Sequence, residues 1–237
     1  MNATGRERPA PGAAAQGLRA APVPSEVLIG HSLYRHGLRG VSLTVHRGEN
    51  VALLGGAGSG KTTLLALLTG IDEPDSGFVH IAGRQINLRT EAERARLRAE
   101  HIGILYAYGN LLDHLTVAQN ILFARHLAAQ RGYRDPAGRL AAVGLDGRGD
   151  KFPAELSPGE RSRAALAVAL ANDPPLVVAD EPTGRLDQTD AAALLSMLRS
   201  QTDRGVAVLL ATRSESVAST CDRILRIEAG ELRGTRS

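Results

Sequence analysis

The segment Gly55-Gly56-Ala57-Gly58-Ser59-Gly60-Lys61-Thr62 follows the apolar run Val51-Ala52-Leu53-Leu54 and precedes Thr63-Leu64-Leu65-Ala66-Leu67-Leu68. An apolar strand, a glycine-rich turn and a helix in immediate succession read as a P-loop. The backbone N–H groups of such a turn wrap a polyphosphate, and the helix it opens presents its positive dipole end to the same anion. Lys61 would reach the β- and γ-phosphates of a nucleotide, the Thr62 hydroxyl would ligate Mg²⁺, and Thr63 continues the helix start. Lysine is scarce: of 28 basic residues only Lys61 and Lys151 are lysines. Lysine therefore stands where a compact, rotatable ammonium suits a phosphate.

A chain of 237 residues with 43% apolar composition can bury a full core, and it fits one α/β domain better than two. The net charge of +3 is a small basic surplus, a weak pointer to anionic partners. Cys221 is the only cysteine, which excludes an internal disulfide and any cysteine-built zinc or iron–sulfur site and suits a reducing cytosol. No apolar run approaches the roughly 18 to 20 residues that span a bilayer, and residues 1 to 25 lack the apolar block of a secretion signal. Those first 25 residues are rich in Ala, Pro, Gly and Arg without a hydrophobic period, and are expected to be a disordered tail.

Further along, Val27 to Ile29 reads as a short first strand and Val41 to His46 as a half-exposed one, with Tyr34 between them. An aromatic just ahead of the P-loop strand is a candidate to stack on adenine. Phe78 to Ile81 and Ile102 to Tyr106 have strand character, and the mixed charges of residues 91–100 suggest a solvated helix. Leu115 to about Arg131 and Gly138 to Val143 form a helix-rich insert, with Thr116 an N-cap. In Ser157-Pro158-Gly159-Glu160, Ser157 and Glu160 make a capping box and Pro158 occupies the first helical position, so a helix starts there. Leu176 to Glu181 is an apolar strand closed by two carboxylates. At the carboxyl end of a parallel strand Asp180 would hold Mg²⁺ through water, and Glu181 would orient or deprotonate the attacking water. A buried strand at Val206 to Ala211 is expected to complete the sheet.

These pieces, in this order, resemble the ATP-binding subunit of an ABC transporter over roughly residues 26 to 232. The branch of lipoprotein-releasing, macrolide-export and cell-division ATPases is the most similar. The likeness is carried by LLALLTGIDEPDSG, NLLDHLTVAQNI and PAELSPGERSRAALAVALANDPPLVVADEPTGRLD. It implies an α/β P-loop NTPase fold with an antiparallel β subdomain, a helical insert at about residues 107–160 and a tail at 233–237. It also implies ATP and Mg²⁺ as ligands, Tyr34 as the adenine-stacking ring, Ser157 and Gly159 as the signature motif, and Gly184 to Asp187 as a loop reaching the partner. Two copies, alike or different, would pack head to tail on separate permease subunits at the inner face of the membrane, with no nucleic acid involved. A capped helix N-terminus, with a hydroxyl and free N–H groups, suits a γ-phosphate brought by another subunit.

The chain departs from that family in three places. Ala107 stands where the family carries a γ-phosphate-sensing glutamine, and Arg213 follows Thr212 where it carries a histidine. No slip of alignment restores the histidine, since all seven lie at or before His126. Pro158 replaces a signature glycine and removes a backbone donor. The resemblance thus implies an ATPase, with Glu181 and Arg213 as its catalytic pair, that binds ATP securely and turns over slowly. Its alternatives are an impaired regulatory half of a heterodimer and a soluble non-transport ABC ATPase. The transported substrate and the direction of transport depend on chains other than this one.

Overall fold

The computed structural model describes residues 25–128 and 135–236. The expected N-terminal tail, apart from Ser25, lies outside them, as does the end of the helix expected to run to Arg131. A four-stranded antiparallel sheet has the order β2-β1-β4-β5, from β1 (Glu26–Arg35), β2 (Leu38–His46), β4 (Ser76–Ile81) and β5 (Arg84–Gln85). A six-stranded sheet has the order β10-β9-β3-β8-β7-β6. Its members are β3 (Asn50–Leu54), β6 (Ile102–Tyr106), β7 (Leu176–Asp180), β8 (Ala207–Thr212), β9 (Arg223–Glu228) and β10 (Glu231–Arg236). All its pairs are parallel except β9 with β10.

Period-two burial explains the layering. On β7, Leu176 and Val178 face the core shared with β1, β2 and helix α1 (Lys61–Leu68), whereas Val177 and Ala179 face the opposite side. On β8, Leu209 and Ala211 divide from Val208 and Leu210 in the same way. The first face is closed by Leu28, Leu33, Val45, Leu64 and Leu67, all essentially buried. The second is closed by helices α3 (Val117–Leu127), α5 (Pro158–Ala169) and α6 (Gln188–Thr202) through Ile121, Leu166, Leu194 and Leu198. Each such leucine contributes about 2–3 kcal/mol by leaving water. A sheet covered on both faces exposes function only at its ends.

Between β6 and β7 runs the helical segment, with α3, α4 (Pro136–Ala141), a 3₁₀ turn at Pro153–Glu155 and α5. Thr116 caps α3, accepting from the Gln119 N–H at 3.3 Å while Gln119 returns the contact to the Thr116 N–H at 2.9 Å. Helix α2 (Glu91–His101) is charged and solvated as expected, with Leu97 buried beneath it, and Thr90 caps it with Glu93.

Two expectations are corrected. The first strand is ten residues long, not three, and Tyr34 belongs to it rather than to a connection. The alternation is hidden in the sequence because β1 bulges between Gly30 and Leu33 and again before Arg35, with Ser32 at φ 50°. Nor does β8 complete the sheet: β9 pairs with the other side of β3, and β10 runs on to Arg236, past Leu232.

Candidate functional site

Register places the site. Leu54 lies opposite Thr212, Asp180 opposite Ala211, and Tyr106 opposite Asp180, so β3, β8, β7 and β6 end along one line. The residues next in sequence, Gly55, Arg213, Glu181 and Ala107, leave the sheet together. Beyond this edge opens a cavity of about 540 Å³ lined by residues 56 to 63, Tyr106, Ala107, Tyr108, Asp180, Glu181 and Arg213, with His36 at its margin.

Gly60, the residue before α1, has φ 104°, a conformation costly to any residue with a Cβ. Helix α1 has no side-chain cap and no acid in its first turn, so its N-terminal donors are left for an anion. Gly55 donates to the Thr212 carbonyl at 3.2 Å, and Gly230 donates to that of Ser59 at 3.1 Å, tying both ends of the turn to the sheet. Ser59 Oγ is buried without a hydrogen-bond partner among the described residues, a polar group that a phosphate oxygen would satisfy.

Lys61 is only 7% exposed and folds back across the turn. Its Nζ donates to the carbonyls of Gly55 and Gly56 at 2.6 and 2.9 Å. Burial pushes its pKa below the usual lysine value, with a further lowering from Arg213 set against the carboxylates of Glu181 and Asp180. The Thr62 hydroxyl donates to Asp180 Oδ2 at 3.4 Å. Asp180 is pushed above the ordinary carboxylate range, first by burial and then by the charge of Glu181. Lys61, the Thr62 hydroxyl and Arg213 oppose that rise. A hydroxyl and a carboxylate oxygen side by side are hard oxygen donors, the chemistry Mg²⁺ takes in phosphate sites.

Glu181 stands at φ 46°, a left-handed conformation unusual for a residue with a side chain, and its N–H is held by the Ala211 carbonyl at 2.9 Å. Arg213 Nε donates to Glu181 Oε1 at 3.0 Å, and the Thr212 hydroxyl lies 3.4 Å from Oε2.

Thus the structure brings together residues 55 to 63, Asp180, Glu181 and Arg213, and sets three predicted residues apart. Tyr34 does not line the cavity. Its side chain leans on Gly40, and it is 48% exposed on β1, while His36 two residues on reaches the cavity margin. Ser157 and Gly159 open α5, beyond a second cleft of about 390 Å³ whose lining includes Ala107, Tyr108, Pro158 and Arg161. Ser157 Oγ accepts from the Glu160 N–H at 3.1 Å, and the Glu160 carboxylate accepts from the Ser157 N–H at 2.9 Å. Gly159 passes so close to Asp190 that a Cβ would fall 2.1 Å from the carboxylate.

Sequence reasoning missed Tyr106 and Tyr108, which flank Ala107 in the cavity wall. The Arg185 guanidinium lies over the Tyr108 ring, 5.1 Å from its centroid. The only available signal for them was position, at and just past the end of a strand that pairs with β7.

Residues 38–184 match the family model described as ABC transporter. The lipoprotein-releasing system ATP-binding protein LolD of Chromohalobacter salexigens is 40% identical over 210 residues, which cover 84% of this chain and 89% of that protein. The macrolide export ATP-binding/permease protein MacB of Rhodopirellula baltica is 39% identical over 199 residues, covering 81% of this chain and 29% of that protein. The chain therefore spans less than a third of MacB. Among solved structures, a dimeric post-hydrolysis state of the ATP-binding cassette MJ0796 bound to ADP and Pi superposes with a TM-score of 0.80. It is 27% identical, with 89% of this chain and 98% of that one covered. The line of strand ends, the glycine turn and these likenesses agree: the chain belongs to the ABC transporter family, as an ATP-binding, ATP-hydrolysing subunit.

Proposed function

We propose that the cavity at the ends of β3, β8, β7 and β6 is the ATP site and that its hydrolysis drives a separate membrane permease. The observation that carries this reading is the convergence on one 540 Å³ space of the uncapped α1 turn, Lys61, and the Asp180–Glu181 pair. Residues 55 to 63 cradle the phosphates, and Lys61 leaves its carbonyl partners for the β- and γ-phosphates. Thr62 and Asp180 hold Mg²⁺, which supplies charge neutralisation on the phosphates when bound. Glu181 takes a proton from the attacking water. The water oxygen bonds to the γ-phosphorus while the bond to the β–γ bridging oxygen breaks, and ADP leaves with that electron pair. Tyr34, with nearly half of its surface free, is available to stack on adenine.

The second cleft supports a two-copy arrangement. Ser157 and Gly159 do not line the ATP cavity, so they act on a nucleotide held by another copy, as a helix N-terminus acts on an anion. A dimeric cassette among the similar structures supports this. Among the described residues no helix is long and apolar enough to cross a membrane. Attachment to the inner face of the membrane is therefore assigned to the permease. Turnover should be slow, because Ala107 supplies no side-chain amide and Arg213 no imidazole to order the water. Phosphate release should fall about 100-fold or more in Glu181→Gln. Unchanged release would remove Glu181 from the reaction.

A further inference from the structure

The ATP cavity holds the cations Lys61 and Arg213, and both are already engaged by the chain itself. Lys61 donates to backbone carbonyls, which part readily from an ammonium when a phosphate arrives. Arg213 is different, because its partner is the residue that must receive the proton of the attacking water. Its Nε holds Glu181 Oε1 at 3.0 Å, and the Thr212 hydroxyl faces Oε2 at 3.4 Å. Both oxygens of the base therefore accept a hydrogen bond, and the lone pair directed at Arg213 is closed to water.

The pair is fixed at one end and free at the other. Glu181 is held by its left-handed backbone, its N–H bond to Ala211 and a side chain only 23% exposed. The Arg213 side chain is 62% exposed and has no other hydrogen bond or ion pair among the described residues. Solvent weakens such a pair, so the long guanidinium arm can leave without disturbing the sheet. Its terminal nitrogens are left to meet a phosphate in the fork geometry that guanidinium favours, and a γ-phosphate carries more charge than a carboxylate.

We propose that Arg213 is an exchangeable latch on Glu181: it occupies the base until a γ-phosphate enters, then moves to that phosphate and uncovers Oε1. Arg213 is in this respect a positioning residue for Glu181 as well as a phosphate ligand. The latch would guard against water activation when only ADP is bound, since ADP has no γ-phosphate to draw the guanidinium away. The inference rests on reading this cavity as the ATP site.

The test is a double-mutant cycle on binding, which needs no turnover. Calorimetry measures the affinity of the full chain for the non-hydrolysable β,γ-imido analogue of ATP and for ADP. The proteins are wild type, Glu181→Gln, Arg213→Ala and the double variant. Glu181→Gln removes repulsion of the γ-phosphate in either background, but only with Arg213 present does it also spare the latch from being broken. The analogue should therefore tighten more on Glu181→Gln in the Arg213 background than in the Arg213→Ala background, by about threefold or more. For ADP the two ratios should be equal. Arg213→Lys, which keeps the charge without the fork, should give an intermediate ratio. Equal ratios for the analogue, or the same inequality with ADP, would overturn the latch. Lys61→Ala separates this from the underlying reading: loss of both nucleotides keeps the site, whereas unchanged binding of both places the failure there.

Discussion

Arg213 and Ala107 are residues at which this chain differs in chemistry from what its resemblance implies, and both line the cavity proposed to hold ATP. A guanidinium can only donate, whereas a neutral imidazole both donates and accepts, and a glutamine supplies a side-chain carbonyl that alanine lacks. Arg213→His combined with Ala107→Gln should therefore raise kcat about tenfold, the factor that about 1.4 kcal/mol of barrier represents. Steady-state phosphate release from wild type, Arg213→Ala and the double reversion checks this. Identical rates in all three would mean that neither position touches the reaction. Asp180 offers a second residue-level test through pH. Burial, and then the charge of Glu181, raise its pKa above the ordinary carboxylate value, so the folded chain holds the Asp180 proton more tightly than the unfolded chain does. Its ionised form therefore costs stability above the unfolded pKa, increasingly until the pH passes the folded value. Asp180→Asn should have the higher Tm at pH 7 in nucleotide-free buffer, and its advantage should shrink as the pH falls toward about 4. An advantage independent of pH would show that ionisation is not the cause. The P-loop and the two carboxylates are legible in sequence because each is a continuous local signal. The Arg213–Glu181 pair is not, since strand register sets it between residues far apart in the chain.

Among the elements, α5 shows how a signature can serve two purposes. Its capping box was legible from Ser157 and Glu160, because a cap is a local bargain between side chain and backbone. The need for glycine at position 159 was not legible from folding considerations, since it arises from Asp190 on α6. Gly159→Ala should cost about 1–3 kcal/mol as the overpacked helices separate, lowering Tm by about 2–4 °C per kcal/mol in a chain of this size. Asp190→Ala in the same chain removes the obstructing carboxylate and should recover most of that loss in a thermal melt. If Gly159→Ala alone melts like wild type, the two helices are not packed as described. The strands divide in the same manner. β3, β7 and β8 are continuous apolar runs and were legible, whereas β1 is disguised by bulges, and β9 by Arg226 and Glu228 on its exposed face. A strand whose outward row carries charge gives little of the continuous apolar signal that marks β3, β7 and β8.

For the molecule as a whole, an open parallel sheet with its ligand groups gathered at the carboxyl ends was legible in outline. The placement of Ser157 outside the ATP cavity agrees with the two-copy arrangement proposed above. Glu181→Gln keeps the phosphate contacts and removes the proton acceptor, so in ATP it should accumulate as a dimer while wild type turns over. Sizing chromatography with and without ATP reads this. Monomers under both conditions would mean that pairing requires the permease or that Glu181 is not the base. In the proposed reading the 540 Å³ cavity holds ATP through Lys61, Thr62 and Asp180. Calorimetric titration of Mg²⁺–ATP into wild type and Lys61→Ala tests it most directly. Loss of one partner of a charged phosphate contact should weaken binding about 100-fold or more, while an unchanged dissociation constant in Lys61→Ala would contradict the account.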